Sequence, residues 1–127
     1  MICFDANTII EIILKRKRVE ACRTTIETAQ ASGEDLAITT LSLDLVMYYA
    51  EAKKLNLKEV EKFLRLFVWL PLTEADAQWA FTHFKGKDFE DGLQIACALR
   101  ERCGEFVTLD RGLYKKYGMR LPVELLR

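Results

Sequence analysis

The sequence predicts an α/β sandwich in which a central parallel β-sheet lies between helices. Short apolar runs, such as Met1–Phe4 and Phe106–Leu109, show no alternation of apolar and polar residues, which is typical of strands covered on both faces. Longer segments between these runs repeat apolar residues at helical spacing. Strand and helix candidates alternate four times along the chain, and this order favours a parallel sheet.

The length and composition predict one folded domain, which we expect to span residues 1–127. The 127 residues suffice to bury a core, and a hydrophobic fraction of 50% argues against disorder. No apolar run is as long as a membrane span, and the N-terminus lacks a signal-peptide pattern. We therefore expect a cytoplasmic protein without a membrane partner. The 19 basic and 19 acidic residues balance, which argues against a constitutively basic nucleic-acid binder.

The first predicted strand, Met1–Phe4, ends at an aspartate and leads into two helices. Either Asp5 or Asn7 can cap a helix that begins near Thr8, because both residue types accept hydrogen bonds from the free amides of a first turn. The basic run that follows ends this helix or links it to a second one, roughly Val19–Ala31.

The second predicted strand, Leu36–Ile38, is followed by a long helix and a shorter one. Threonine and serine residues within 39–42 offer caps for a helix that continues to about Lys54. The Leu55–Asn56 break separates it from a helix over Leu57–Phe67, whose apolar residues follow helical spacing.

The second half of the chain repeats the pattern of strand and helix. Thr73 followed by Asp76 resembles a capping box, with aspartate in place of glutamate. The remaining predicted elements are a strand over Val68–Leu72, a helix from Thr73 to about Phe84, a helix over Asp88–Cys103, a strand over Phe106–Leu109, a short helix near Leu113–Tyr117 and an extended segment near Leu121.

Four aspartates are expected at one edge of this sheet. Asp5 and Asp110 directly follow apolar strands, whereas Asp44 and Asp91 lie in the first turns of helices. Ligands of open parallel sheets bind outside the carboxyl ends of the strands, where these residues would meet. Asp5 or Asp110 alone is better explained as a cap or turn residue, and Asp44 alone is explained equally well as a partner of the helix dipole. Asp91 is harder to explain in this way, because the cap position before it is already filled by Asp88. All four together favour a joint site.

The local sequence refines the positions of these acids. Asp44 interrupts the apolar stretch LSLDLVMYY, so we expect it near the protein interior. Asp88 and Asp91 are about 60° apart on one margin of the apolar face of their helix, and Glu90 lies on the opposite margin. We therefore expect Glu90 to point to solvent. Asp88 is favoured as a helix cap that touches the rim of the site.

An acidic cluster of this kind requires cations. Two carboxylates ~5 Å apart repel by roughly 3 kcal/mol at an effective dielectric of 20. Oxygen ligands suit Mg²⁺ or Mn²⁺, and such ions promote phosphodiester hydrolysis by activating water and stabilising the leaving oxygen. Asn7 and Thr108 are positioned to support Asp5 and Asp110 by hydrogen bonding. The cysteines form no CxxC pair, so zinc is not expected.

The segments FDAN, DFEDGLQIACAL and FVTLDRGLY together resemble the PIN-domain family, and most closely the VapC-type toxin ribonucleases. The resemblance implies a three-layer α/β/α fold and a Mg²⁺- or Mn²⁺-dependent endoribonuclease. It also implies a homodimer and a cognate antitoxin protein. The family's acidic positions match Asp5, Asp91 and Asp110, and its polar residue before the last acid matches Thr108. Asp44 is the best match to a family glutamate, and Gly92 stands where the family carries alanine.

Several alternatives stay open. One is a non-toxin PIN nuclease that acts in RNA processing. Another is a metal-dependent phosphatase with Asp5 as covalent nucleophile, although such enzymes usually carry a second acid where this chain has Asn7. A third is an RNA-binding module with a degenerate site, suggested by the shorter side chain of Asp44. Basic residues near the predicted edge are either phosphate contacts or ordinary solvated side chains; they are Lys15, Arg16, Lys85, Lys87, Arg111 and Lys115.

Overall fold

A five-stranded sheet forms the centre of the computed structural model, which describes all 127 residues. The strands are β1 (Ile2–Phe4), β2 (Leu36–Thr39), β3 (Val68–Leu70), β4 (Glu105–Thr108) and β5 (Val123–Leu125). They pair in the order β3-β2-β1-β4-β5, and every pairing is parallel. The predicted central parallel sheet is therefore confirmed, with β1 as its middle strand.

Seven helices connect the strands. They are α1 (Ala6–Ile13), α2 (Val19–Ala31), α3 (Thr40–Ala52), α4 (Leu57–Leu64), α5 (Glu74–His83), α6 (Phe89–Arg100) and α7 (Arg111–Tyr117). None of them has both the length and the apolar character that crossing a lipid bilayer would require.

The helices cover both faces of the sheet, because successive strand residues point to opposite sides. Phe4 and Val107 belong to a core that includes residues of α1, α2, α3 and α4. Cys3 and Phe106 belong to a second core with residues of α6 and α7, against which Trp79 of α5 also packs. The predicted three-layer α/β/α arrangement is confirmed.

The start of α1 differs from the prediction in a way that matters for the site. The helix begins at Ala6 rather than Thr8, so Asn7 lies inside its first turn and does not cap it. Asp5 occupies the cap position, but its side chain makes no capping hydrogen bond. Instead, the Thr8 hydroxyl donates to the Asp5 carbonyl at 2.7 Å. The Asp5 carboxylate is consequently available for contacts elsewhere.

The carboxyl ends of β1 and β4 lie side by side. Phe4 pairs with Val107, and the Asp5 amide donates to the Val107 carbonyl at 2.9 Å. The residues that follow each strand therefore emerge at one edge of the sheet, as parallel pairing requires.

Helix α6 packs closely on α5 because Gly92 has no side chain. A Cβ at this position would lie 3.2 Å from the Ala80 Cβ and 3.3 Å from the Tyr117 hydroxyl. An alanine here, as in the family that the sequence resembles, would therefore crowd Ala80 and Tyr117.

The extended segment predicted near Leu121 corresponds to the last strand, β5, which begins at Val123.

Candidate active site

A pocket of about 270 Å³ opens at the carboxyl edge of the sheet, where β1 and β4 end and α6 begins. Four of its nine lining residues are acidic and none is basic. The lining residues are Asp5, Ala6, Asn7, Ile10, Leu45, Tyr49, Glu90, Asp91 and Asp110. Three of the four predicted aspartates are therefore brought to one pocket.

Asp5 is the most deeply placed of these acids, with 6% of its surface exposed. Its Oδ2 accepts hydrogen bonds from the Thr108 hydroxyl at 2.7 Å and the Asn7 amide at 3.2 Å, and its Oδ1 accepts from the Gln94 amide at 3.4 Å. Burial raises the pKa of Asp5, and the Asp110 charge adds to this, although the bonds from Thr108, Gln94 and Asn7 act in the opposite direction. These contacts fix the orientation of the carboxylate.

Thr108 and Asn7 also tie the two strand ends together. The Thr108 hydroxyl oxygen accepts from the Asn7 side-chain amide at 3.3 Å and from the Asp110 backbone amide at 3.0 Å. The Asn7 carbonyl oxygen accepts from the Leu109 amide at 3.2 Å. Both residues therefore make the supporting contacts to the site that the sequence predicts.

Gln94 is a contributor that the sequence analysis missed. It lies in α6, one turn after Asp91, with only 1% of its surface exposed. Its amide donates to Asp5, and its carbonyl oxygen accepts from the Ser42 hydroxyl at 2.7 Å. A glutamine within the apolar stretch Leu93–Ala98 was the available signal, because a buried amide needs partners on both sides.

Asp91 is a second acid of the pocket whose pKa is raised. It lies in the first turn of α6 and is half-buried. Burial, together with the charges of Asp5, Asp110 and Glu90, raises the pKa of Asp91 to about 7. The carboxylates are therefore close enough to oppose one another's ionisation.

Asp110 has a double role at the end of β4. Its Oδ1 accepts from the Gly112 amide at 2.7 Å and from the Leu113 amide at 3.2 Å, which caps α7. The other carboxylate oxygen takes no part in this cap. The cap therefore fixes the orientation of the Asp110 side chain at the pocket and leaves its second carboxylate oxygen available for another contact.

A family model described as PIN domain matches residues 1–112, which include all four predicted aspartates. The chain belongs to the PIN domain family. PIN domains are nucleases, so membership indicates a hydrolase that acts on nucleic acid. Comparison with curated protein sequences found no match.

Three solved complexes contain chains of similar fold. VapBC2 from Rickettsia felis, bound to a DNA fragment from its promoter, has a chain that superposes with a TM-score of 0.77 at 17% identity, covering 100% of both chains. A chain of a toxin–antitoxin complex from Klebsiella pneumoniae superposes with a TM-score of 0.75 at 19% sequence identity, covering 97% of this chain and 95% of the other. A chain of FitAB bound to an IR36 DNA fragment superposes with a TM-score of 0.64 at 21% sequence identity, covering 97% of this chain and 93% of the other. At these identities the likeness establishes the fold.

Asp44 is not brought to the pocket of this PIN domain. It is exposed on α3, so the expectation of a position near the interior is wrong. Successive residues of a helix point in directions about 100° apart. Ser42 and Val46 face the interior and Leu45 faces the pocket, so Asp44 points outward. The α3 wall of the pocket is consequently apolar and aromatic.

Two further acids also differ from expectation. Glu90 is exposed as predicted, but it lines the pocket and raises the pKa of Asp91, so the prediction that it turns away is wrong. Asp88 precedes α6 without a side-chain cap bond and does not line the pocket. Its carboxylate accepts from the Lys85 amide at 2.9 Å and the Tyr117 hydroxyl at 3.2 Å, and pairs with Lys116.

The residues of the pocket fit a divalent cation in chemistry. The donors are all oxygens, and no basic side chain among the lining residues balances the four carboxylates. They surround the pocket without meeting at one point, since no group of three acidic, histidine or cysteine side chains is close enough to hold an ion as it stands. Binding would therefore require the side chains to move inward, and it would relieve the repulsion that raises the pKa of Asp91.

Proposed function

We propose that this PIN domain is a divalent-cation-dependent endoribonuclease and the toxin of a type II toxin–antitoxin pair. The observation that carries the proposal is that Asp5, Asp91 and Asp110 line one pocket, with no basic side chain among its lining residues. The pKa of Asp91, raised to about 7 by burial and by the adjacent acids, is what an acidic site prepared for a cation should have. We infer further that the domain occupies the whole of residues 1–127.

Asp5, Asp91 and Asp110 would hold Mg²⁺ or Mn²⁺, with Glu90 at the rim. When bound, the ion supplies positive charge to the scissile phosphate and lowers the pKa of water for attack. Thr108, Asn7 and Gln94 keep Asp5 oriented, so little reorganisation of that ligand is needed. Asp44, exposed on α3, is at most a peripheral member of this set.

The toxin assignment has two supports. The chain shares its fold with a chain of the toxin–antitoxin complex from Klebsiella pneumoniae, and with chains of VapBC2 and FitAB. Exposed apolar side chains on α3, α4, β3 and the turn before β3 also offer a surface for an antitoxin or a second copy; they are Tyr48, Tyr49, Leu57, Leu66 and Val68. We therefore propose a cognate antitoxin, a homodimer and a cytoplasmic location. A small adjacent reading frame for a DNA-binding protein would support the pairing, and its absence would favour a non-toxin nuclease in RNA processing.

Cleavage of RNA by purified protein tests the activity. The wild type should cut RNA with Mg²⁺ or Mn²⁺ and not with a chelator, and Asp5→Asn and Asp91→Asn should abolish cutting while the fold is retained. Asp35→Asn is the matched control, because Asp35 is exposed and precedes β2 at the opposite edge of the sheet. Full cleavage by both site variants, in preparations free of contaminating nuclease, would overturn the proposal.

A binding module is the second candidate, favoured by the dispersed carboxylates and the outward position of Asp44. Calorimetry that detects no Mn²⁺ binding, together with intact RNA binding, would select it. The phosphatase alternative is disfavoured because such enzymes usually carry a second acid two residues after the nucleophile, where this chain has Asn7, whose side-chain amide donates to Asp5 at 3.2 Å.

A further inference from the structure

We propose that a single strand of RNA leaves the acidic pocket along one groove between α1 and α3, with Tyr49 as a base-stacking residue and Arg16, Lys17 and Lys53 as phosphate contacts. This inference rests on the proposed function and specifies how that site takes its substrate. Because the net charge of the protein is zero, a path for RNA must be a local concentration of basic side chains.

Successive turns of two helices form the walls of the groove. On α1, Ile10 lines the acidic pocket, and Ile13 and Leu14, one turn later, line the next cavity, of about 470 Å³. On the other side, Tyr49 of α3 lines the acidic pocket, and Lys53, which caps the end of α3 one turn later, lines that same next cavity. Residues three or four apart share a helix face, so the two cavities follow the same pair of faces.

Arg16 and Tyr49 join the two cavities. The Arg16 guanidinium carbon lies 5.9 Å from the centroid of the Tyr49 ring, within the range of a cation–π contact. Arg16 also lines a third cavity, of about 550 Å³, together with Lys17 and Arg18. The groove therefore continues from the acidic pocket, past one aromatic ring, into two basic cavities.

The charge of the groove is opposite to that of the pocket. The second cavity has basic side chains and no acidic one. The only acid of the third cavity, Glu11, is buried and neutralised by Arg18, whose backbone amide donates to it at 2.7 Å and whose Nε lies 3.7 Å away. The cations of the groove are thus free for an external anion, while the cut would occur where the carboxylates lie.

These features match a nucleic-acid strand better than a general anion. Basic side chains bind successive phosphates, and Tyr49, 36% exposed, presents a ring on which a base can stack. Ile13, Leu14 and Leu55 give the second cavity apolar surface for contact with bases and sugars. Arg16 beside the ring adds a planar cation of the kind that stacks on bases.

RNA binding measured by fluorescence anisotropy tests the groove. The probe is an unstructured RNA oligonucleotide, and all proteins carry Asp91→Asn so that the probe stays intact. Replacing Arg16, Lys17 and Lys53 together by glutamine should reduce the slope of log affinity against log salt by about two, because each phosphate contact on a single strand contributes about 0.7. The matched control replaces Arg23, Lys58 and Lys62, which are exposed and line none of the three cavities.

The aromatic part has its own pair of variants. Tyr49→Leu should weaken binding about 10-fold at every salt concentration, and Tyr49→Phe should restore it, because stacking needs the ring and not the hydroxyl. Tyr114→Leu is the control, since Tyr114 is 42% exposed and lines none of the three cavities.

The outcomes separate this inference from the proposed function. Equal losses in the test and control triple variants, or an unchanged salt slope in the test variant, would overturn the groove. If the test triple variant binds RNA as well as the unsubstituted groove does but no longer binds an acidic peptide, the groove is a site for a protein partner, and the proposed RNA path is wrong. If the wild type does not cut RNA but the contrast between variants persists, the groove stands and the nuclease proposal fails.

Discussion

Asp91→Asn should make the metal-free protein more stable at alkaline pH. Asp91 is half-buried in the pocket, where burial and the charges of Asp5, Asp110 and Glu90 raise its pKa from the ordinary value of 3.8 to about 7. That difference corresponds to roughly 4 kcal/mol, at ~1.4 kcal/mol per pKa unit. Because the side chain is partly exposed and solvent screens its interactions, we expect about 2 kcal/mol.

The sign follows from the two pKa values. The native state keeps its proton on Asp91 to higher pH than the unfolded chain does, so the unfolding free energy of the wild type falls as pH rises from about 4 through about 7. Asparagine has no proton to lose at this position. The two proteins should therefore have similar unfolding free energies below pH 4 and differ by the full amount above pH 8.

Urea unfolding in the presence of a chelator, at several pH values, measures this difference directly. Contributions from titrating groups outside the pocket are common to both proteins and cancel in the comparison. Added Mn²⁺ should reverse the order, because it stabilises the native state of the protein that binds it more tightly. The reasoning is refuted if the variant and the wild type show the same pH dependence, or if the variant is the less stable at pH 8.

Three further predictions follow from particular contacts. Arg100→Met should destabilise the protein by about 3 kcal/mol near neutral pH, because Asp76, 2% exposed, loses the guanidinium that binds both of its oxygens at 3.0 Å. Burial alone raises the pKa of Asp76, but Arg100 lowers it below the ordinary value, so this loss should shrink as pH falls below about 4. Thr108→Val should reduce cleavage and Mn²⁺ affinity about 10- to 100-fold without unfolding, because Asp5 loses its 2.7 Å hydrogen bond. Asp44→Asn should leave cleavage within about twofold, since its side chain is exposed outside the pocket.

Each of these has a control and a contradicting result. Arg23→Met removes an exposed ion pair with Glu20 and should change the unfolding free energy by only about 0.5 kcal/mol or less; an equal effect would contradict the argument for Arg100. Thr108→Ser keeps the hydroxyl and should retain most activity, whereas full activity in the valine variant would remove Thr108 from the site. A loss of cleavage in Asp44→Asn as large as that in Asp91→Asn would return Asp44 to the catalytic set.

The sequence predicted the layers and strands of this protein from local signals. Apolar runs without alternation mark β1 and β4 as buried on both faces, and the alternation of strands with helices determines parallel pairing. Aspartates directly after two such strands must then emerge at one edge. Asp5, Asp91 and Asp110 could be assigned to a common region for this reason, and their catalytic role stays a prediction.

Helical phase was harder to predict. An error of one residue in the predicted phase of a helix changes the direction of a side chain by about 100°. This angle is the difference between Leu45, which lines the pocket, and Asp44, which is exposed outside it. The same uncertainty placed Glu90 on the wrong side of α6. Asp88 was favoured as a cap because its residue type suits that role, whereas Lys85, Lys116 and Tyr117 hold its carboxylate in the folded protein.

The sequence by itself thus determined the fold class, the family resemblance and the edge at which the acids gather. Only the tertiary structure decided that Gln94 binds Asp5 across 89 positions of the chain, that α3 contributes Leu45 and Tyr49 to the pocket, and that Arg16 meets Tyr49. Such contacts depend on how helices pack against the sheet and on each other. Packing sets distances between residues far apart in sequence, and no local pattern of apolar and polar residues encodes them.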